Sequence, residues 1–105
     1  MNTNEAAKFF ECLSSPIRLD IFRLLIRYGS EGRVAGQIAS ELDLPATNLS
    51  FHLKTLTNCN LISVEQEGRF LRYKANLSLM KALAGFLTEQ CCMAQSTPNS
   101  TCKVQ

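Results

Sequence analysis

Cysteines are the residues of this 105-residue chain with the most distinctive chemistry, and three of the five lie near its C-terminus. Cys91 and Cys92 are adjacent, and Cys102 follows ten residues after Cys92. Thiolates select soft, thiophilic centres. Zinc would need four ligands, usually in Cys-x₂₋₄-Cys spacing, which these cysteines do not show. Their number and type therefore favour a thiophilic centre that takes three sulfur ligands.

Other interpretations of the cysteines stay open. A cysteine pair beside a tail can be oxidised or persulfidated, and adjacent cysteines can pack as small apolar side chains. A thiol enzyme would need a thiolate activated by a base or a helix N-terminus. Cys91 and Cys92 come instead at the end of a predicted helix, where the dipole disfavours a thiolate, so we expect no enzyme. Cys12 and Cys59 lie on apolar faces of predicted helices, and we interpret both as buried thiols.

A second set of candidate residues lies on a predicted helix over residues 46–58. Leu49, Leu53 and Leu56 form its apolar stripe. The opposite side carries short hydrogen-bonding groups, one aromatic ring and one cation, from Thr47, Asn48, Ser50, Phe51 and Lys54. Such groups can bond base edges or phosphates, and a phenyl ring can meet a thymine methyl. The pattern indicates a DNA-reading helix, the alternative being an ordinary solvated face.

Neighbouring residues favour the DNA interpretation. Arg69, Arg72 and Lys74 cluster on a predicted hairpin, where contacts to phosphates or the minor groove are expected. Charges there can also protect an edge strand from pairing. His52 is the only histidine and borders the leucine stripe. It either contacts phosphate or hydrogen-bonds across the turn, and we place it with the DNA-binding residues.

Periodicity predicts the elements that must position these residues. Apolar spacing predicts helices over residues 3–13, 17–28, 34–42, 46–58 and about 77–91. Residues 61–64 and 70–75 alternate around a polar, glycine-containing segment, which predicts a β-hairpin. The order α-α-α-α-β-β-α, mainly α with a β-hairpin, is that of a winged helix-turn-helix. We expect a DNA-binding and dimerisation domain over residues 1–92 and a flexible cysteine-containing tail over 93–105.

Local signals mark where the helices begin. Residues 2–4 offer capping side chains with Glu5 in the first turn, whereas Ser15 can cap the second helix and Pro16 suits its first position. A single helix-turn-helix offers few base contacts, so we expect a homodimer on a palindromic duplex. The first and last helices lie outside the motif and are the natural dimer surface.

Composition excludes several classes of protein. The chain is 46% hydrophobic and 19% charged, which is enough apolar material for one small folded domain. No apolar run approaches the roughly 20 residues that span a bilayer, and residues 1–5 lack the features of a secretion signal. We therefore expect a cytoplasmic protein with reduced thiols and no membrane partner. The net charge of +2 is weak evidence by itself.

Several segments share a pattern with a known family. They are SSPIRLDI at 14–21, IASEL at 38–42, LSFHLKTL at 49–56, LI at 61–62, EGR at 67–69 and Tyr73. Together they resemble the ArsR/SmtB family of winged-helix repressors over about residues 5–92. The resemblance implies a homodimeric transcriptional repressor that leaves its operator on binding a metal or metalloid.

Two positions depart from the family pattern. Asn60 stands where the family commonly has Gly after the recognition helix, and Asn tolerates the left-handed conformation required there. Pro45 stands near the N-cap of that helix, where Ser is common, so we expect one capping bond to be lost.

The resemblance also concerns the inducer. Many arsenic sensors of the family carry Cys-x-Cys in the first helix of the motif, and its zinc sensors use Asp and His on the last helix. Residues 34–39 here hold no cysteine, and 77–89 hold neither Asp nor His. Residues 86–92, FLTEQCC, instead resemble the end of a proteobacterial ArsR subgroup that senses trivalent arsenic through such a pair and a third tail cysteine.

The hypothesis is a repressor of an arsenic-resistance operon, released by trivalent arsenic bound to three thiolates. The inducer would be arsenite, methylarsenite or antimonite, and the ligands Cys91, Cys92 and Cys102. A repressor on the same fold that responds to thiol oxidation or persulfidation is the alternative.

Overall fold

The computed structural model describes residues 1–91. Its helices are α1 (Thr3–Cys12), α2 (Pro16–Tyr28), α3 (Ala35–Leu42), α4 (Ala46–Asn58) and α5 (Leu77–Thr88), and its strands are β1 (Arg33–Val34), β2 (Ile62–Glu67) and β3 (Phe70–Ala75). A 3₁₀ turn, Gly29–Glu31, follows α2. The proposed ligands Cys92 and Cys102, and the expected tail over 93–105, lie outside the described residues. No helix within residues 1–91 is long and apolar enough to cross a membrane.

The predicted capping residues of α1 and α2 are confirmed. Asn2 accepts a hydrogen bond from the backbone N–H of Glu5 at 2.8 Å, and the Glu5 side chain accepts one from the Asn2 N–H at 2.9 Å. This reciprocal capping box satisfies two backbone donors that the first turn leaves unpaired. Ser15 caps α2, with Pro16 at its first position. Pro45 precedes α4 without a side-chain capping bond, as predicted.

The sheet contains one strand more than the sequence predicted. The hairpin of β2 and β3 is confirmed, and β1 pairs antiparallel on the other side of β3, giving the order β1-β3-β2. Val34 was expected to begin the third helix, but it lies in β1 and is the N-cap of α3. Gly32, with φ of 65°, permits this pairing, because a Cβ at that position would clash with the Tyr73 carbonyl oxygen.

The hydrophobic core lies between the helices and one face of the sheet. Its largest fully buried side chains are Ile21, Leu24, Leu25, Ile38, Leu53, Leu56 and Leu61. Leu19 on α2 lies outside this core and is 41% exposed. Leu87 near the end of α5 is 64% exposed. The last helix, α5, ends at Thr88 rather than near residue 91.

Two left-handed residues shape the ends of the helix-turn-helix. Asp43, with φ of 54°, ends α3, and the Leu44 N–H donates to the Ala39 carbonyl at 3.0 Å. This αL closure turns the chain sharply into α4. Asn60 has φ of 64°, which confirms the conformation predicted after the recognition helix.

Candidate nucleic-acid interface

The exposed face of α4 presents the residues that the sequence selected for DNA contact. Leu49, Leu53 and Leu56 are at most 2% exposed and hold the helix against the core. The outward side chains are all exposed, namely Thr47, Asn48, Ser50, Phe51 and Lys54. The Phe51 ring is 65% exposed, and it lies edge to face with the His52 ring, with 5.5 Å between the ring centroids. Such an arrangement suits contact with base edges and a thymine methyl.

His52 lies at the side of this face and is half-buried. Its Nδ1 lies 3.3 Å from Nη1 of Arg18, whose Nε donates to the Cys12 carbonyl at 2.6 Å. A guanidinium can only donate, so Nδ1 is the acceptor and the proton of the neutral ring is on Nε2. Burial, and then the charge of Arg18, lower the pKa of His52. This contact joins α4 to α2, whereas the sequence offered a phosphate contact or a hydrogen bond across the turn of the helix-turn-helix.

The β2–β3 hairpin, here called the wing, carries three cations that differ in whether they pair with a carboxylate. Arg69 is exposed near the hairpin turn. Nε of Arg72 pairs with Glu67 at 2.9 Å, while its Nη1 donates to the Glu31 carbonyl at 2.9 Å. Nζ of Lys74 pairs with Glu65 at 2.8 Å, which lowers the pKa of that carboxyl group. Arg69 is therefore the more available cation, and the other two carry acidic counter-charges.

Strand register explains these two ion pairs. Glu67 is opposite Phe70, and Glu65 is opposite Arg72, so each carboxylate reaches the cation diagonally across the antiparallel ladder. Diagonal neighbours on one sheet face are within reach of long side chains. Glu65 and Glu67 were not predicted as site residues, although their alternation on the first hairpin strand is a signal that they share a face with the cations.

A groove lies between the exposed face of α4 and the wing. Its volume is about 380 Å³, and its lining includes Ser50 and Lys54 from α4 and Val64 and Leu71 from the strands. Two of the predicted DNA-binding residues therefore share a continuous surface with the hairpin. Concave surfaces of this kind between a helix and a wing are suited to following a duplex backbone.

Sequence reasoning missed one exposed aromatic residue on the wing. Phe70 is 62% exposed and directly follows Arg69. The alternation that placed it on the face of Arg72 and Lys74 was a signal for it. Apolar side chains next to cations can enter the minor groove and wedge between base steps.

Comparisons with known proteins agree with this geometry. A family model described as a helix-turn-helix domain matches residues 13–65. The HTH-type transcriptional regulator CmtR of Mycobacterium tuberculosis is 31% identical over 103 residues, with 90% of this chain and 85% of that protein covered. An ArsR-like transcriptional regulator from Rhodococcus has a solved structure that is 28% identical, with a TM-score of 0.70 and coverage of 82% of this chain and 78% of that one. The chain belongs to the ArsR family of helix-turn-helix transcriptional regulators.

Two further proteins are similar to the chain over a shorter length or at a lower identity. The probable mercury resistance operon repressor of Streptomyces lividans is 28% identical over 67 residues, covering 64% of this chain and 51% of that protein. A Mycobacterium bovis fragment, described as a homodimeric winged helix-turn-helix DNA-binding domain, has a TM-score of 0.65 at 20% identity, with 90% of this chain and 88% of that one covered. At that identity the likeness concerns the winged-helix fold alone.

The cysteines of this ArsR-family chain occupy three environments. Cys12 is buried as predicted, but Cys59 is only half-buried, because it is the C-cap of α4 at the edge of the core. Cys91 is exposed in the turn after α5. Within residues 1–91, no group of three or more His, Cys, Asp and Glu side chains could hold a metal ion.

Proposed function

We propose that this ArsR-family protein is a homodimeric cytoplasmic repressor of an arsenic-resistance operon, released from a palindromic operator by trivalent arsenic or antimony. The observation that carries the DNA-binding part is the shared surface formed by the exposed face of α4 and the wing. That surface combines hydrogen-bonding groups for base edges with cations for phosphates, as DNA recognition requires.

Each part of the surface has a distinct role in the proposal. The α4 side chains enter the major groove, with base contacts from Asn48, Ser50 and Phe51 and backbone contacts from Thr47, His52 and Lys54. The wing cations Arg69, Arg72 and Lys74 hold the flanking phosphates, and Phe70 lies beside them at the wing tip. Phosphate contacts position the protein, and base contacts supply specificity.

Exposed apolar residues on the first and last helices support the dimer. Phe10 on α1 is 36% exposed, and Leu77 and Leu87 on α5 are 37% and 64% exposed. Burying such side chains against a partner is favourable by about 25 cal/mol per Å² of apolar surface. A two-fold dimer would present two α4 helices to successive major grooves.

The inducer site is proposed at Cys91, Cys92 and Cys102. Trivalent arsenic forms three bonds to sulfur, and soft thiolates select such centres. Cys91 is exposed just beyond α5, so it is accessible from solvent and adjoins the proposed dimer helix. Ligand binding there would change the dimer geometry and so the spacing of the two α4 helices.

The DNA-binding part is tested by fluorescence anisotropy on a labelled palindromic duplex at increasing salt. If a dimer neutralises about eight phosphates, the slope of log affinity against log salt is about −7. A slope near zero, or binding by a strict monomer, would refute the DNA interface.

The inducer part is tested by titrating arsenite into the protein–operator complex. Cys91→Ser and Cys92→Ser should each bind DNA normally and lose release by arsenite. Cys102→Ser should impair the response to inorganic arsenite more than to methylarsenite, because the methyl group occupies one arsenic valence and two thiols then suffice. Full release from the folded Cys91→Ser/Cys92→Ser variant would place the sensor elsewhere. Release by peroxide, with a disulfide between Cys102 and the pair, would favour the thiol-redox alternative.

A further inference from the structure

Two cysteines outside the proposed inducer site meet where the C-terminal ends of α1 and α4 pack together. Cys12 ends α1 and is 6% exposed, and Cys59 caps α4. Both contact the same backbone oxygen. The Cys12 thiol lies 3.9 Å from the Thr55 carbonyl, and the Cys59 N–H donates to that carbonyl at 3.2 Å.

The two side chains also affect each other electrostatically. Burial and the neighbouring Cys59 thiol raise the pKa of Cys12 to about 11, against the opposing charge of Arg18. Cys12 is therefore a neutral thiol at neutral pH, which makes it a poor nucleophile and a poor target for oxidants.

Solvent reaches this pair from the side of Cys59. A cavity of about 310 Å³ lies between the two helices and is lined by Glu5, Lys8 and Phe9 of α1 and by Asn58 and Cys59. Cys59 therefore faces an entry path from solvent, whereas Cys12 is enclosed by the core. The entrance carries one carboxylate, from Glu5, and one ammonium group, from Lys8.

We propose that Cys12 and Cys59 form a two-thiolate site for a soft divalent cation that takes two sulfur ligands, of which the mercuric ion is the representative. Two sulfur–metal bonds form, and two S–H bonds lose their protons to solvent without any oxidation. The product is neutral, because two thiolates balance a double positive charge, so its burial avoids the penalty for an unpaired ion. Zinc is unsuited, because it takes four ligands in structural sites.

Occupancy of this site would link α1 to the helix that carries the DNA-facing residues. Arg18 lies beside the pair, bonded to the Cys12 carbonyl and in contact with His52 of α4. The site is thus distinct from Cys91 in both position and ligand number.

The test uses the full chain carrying Cys91→Ser, Cys92→Ser and Cys102→Ser, which keeps only Cys12 and Cys59 of the five cysteines. One equivalent of mercuric ion is added, followed by excess monothiol competitor. We expect native mass spectrometry to show one mercury per chain and the loss of two protons, with both thiols protected from alkylation. Because neither DNA nor the tail cysteines take part, failure of arsenite sensing would leave this result unchanged.

Two further variants of this triple-serine chain, each keeping only one of the two remaining thiols, test whether both cysteines bind the mercury. Cys59→Ser, at a half-buried position, and Cys12→Ser should each lower mercury retention by at least tenfold against the competitor. Equal retention by folded Cys59→Ser would overturn the site, as would mercury bridging two chains or a disulfide in place of bound metal. If Cys12→Ser does not fold by circular dichroism, mercury retention by Cys59→Ser is sufficient to support or overturn the site.

Discussion

Nη1 of Arg18 lies 3.3 Å from Nδ1 of His52, which connects α2 to the middle of α4. The same guanidinium donates through Nε to the Cys12 carbonyl at the end of α1. One side chain therefore ties three helices together behind the exposed face of α4. The contact constrains the orientation of the helix that we propose to enter the major groove.

Folding stability should depend on the protonation of His52. Its pKa is lowered in the folded protein, so the folded state favours the neutral ring. Because the unfolded chain then binds the proton more tightly, this contribution to stability is present above the unfolded pKa of about 6.5 and is lost as the pH falls below it. Urea unfolding at a series of pH values between 7.5 and 5.5 measures the loss.

His52→Asn and His52→Gln provide the matched pair for this measurement. The amide oxygen of Asn can replace Nδ1 as acceptor for Arg18, whereas Gln places its amide near the position of Nε2. We expect both variants to lack the histidine-dependent part of the pH profile and Asn to be the more stable. An unchanged pH profile in both would show that another group titrates.

Sequence discrimination should depend on the exposed ring of Phe51. Phe51→Ala should reduce the preference for operator over a duplex altered at one base pair, by about 1–3 kcal/mol if a base edge or methyl is contacted. Competition binding with single-substitution operators measures the change. Leu19→Ala, which removes an exposed apolar residue of α2, is the control and should leave discrimination intact.

The acidic residues of the wing should weaken DNA binding. Glu67→Gln removes the counter-charge of Arg72 and should strengthen binding to all sequences, whereas Arg72→Ala should weaken binding to all sequences about equally. Each loss of a phosphate-contacting cation lowers the salt slope by about 1 per subunit. Titrating salt against DNA affinity for both variants measures the slope. If Arg72→Ala changed only the preference among sequences, Arg72 would be assigned to base contacts instead.

Gly32 should be intolerant of any side chain. Gly32→Ala places a Cβ against the Tyr73 carbonyl oxygen at a positive φ, so we expect a loss of more than about 1 kcal/mol in the free energy of unfolding. Gly36→Ala is the control, because its Cβ would meet no atom within 4 Å and alanine favours the helix by up to about 1 kcal/mol. Urea unfolding compares them, and equal effects would refute the steric cause.

The sequence by itself determined most helix boundaries and the inward face of α4. Capping at Ser15 and Pro16 acts within one turn, and the spacing of Leu49, Leu53 and Leu56 matches the period of the helix. These signals involve neighbours along the chain, so no knowledge of the fold is needed to find them. The same holds for the alternation of β3, which placed Arg72 and Lys74 on one side.

Only the tertiary structure decided which strands pair and which helices pack against each other. Strand β1 has two residues, too few for a periodic pattern, and it forms because Gly32 lets the chain approach Tyr73 of β3. The contact between Arg18 and His52, and the meeting of Cys12 with Cys59, each join residues of helices that are separate in the sequence. Their physical cause is the packing of α1 and α2 against α4, which is set by burial of the whole core rather than by any local residue pattern.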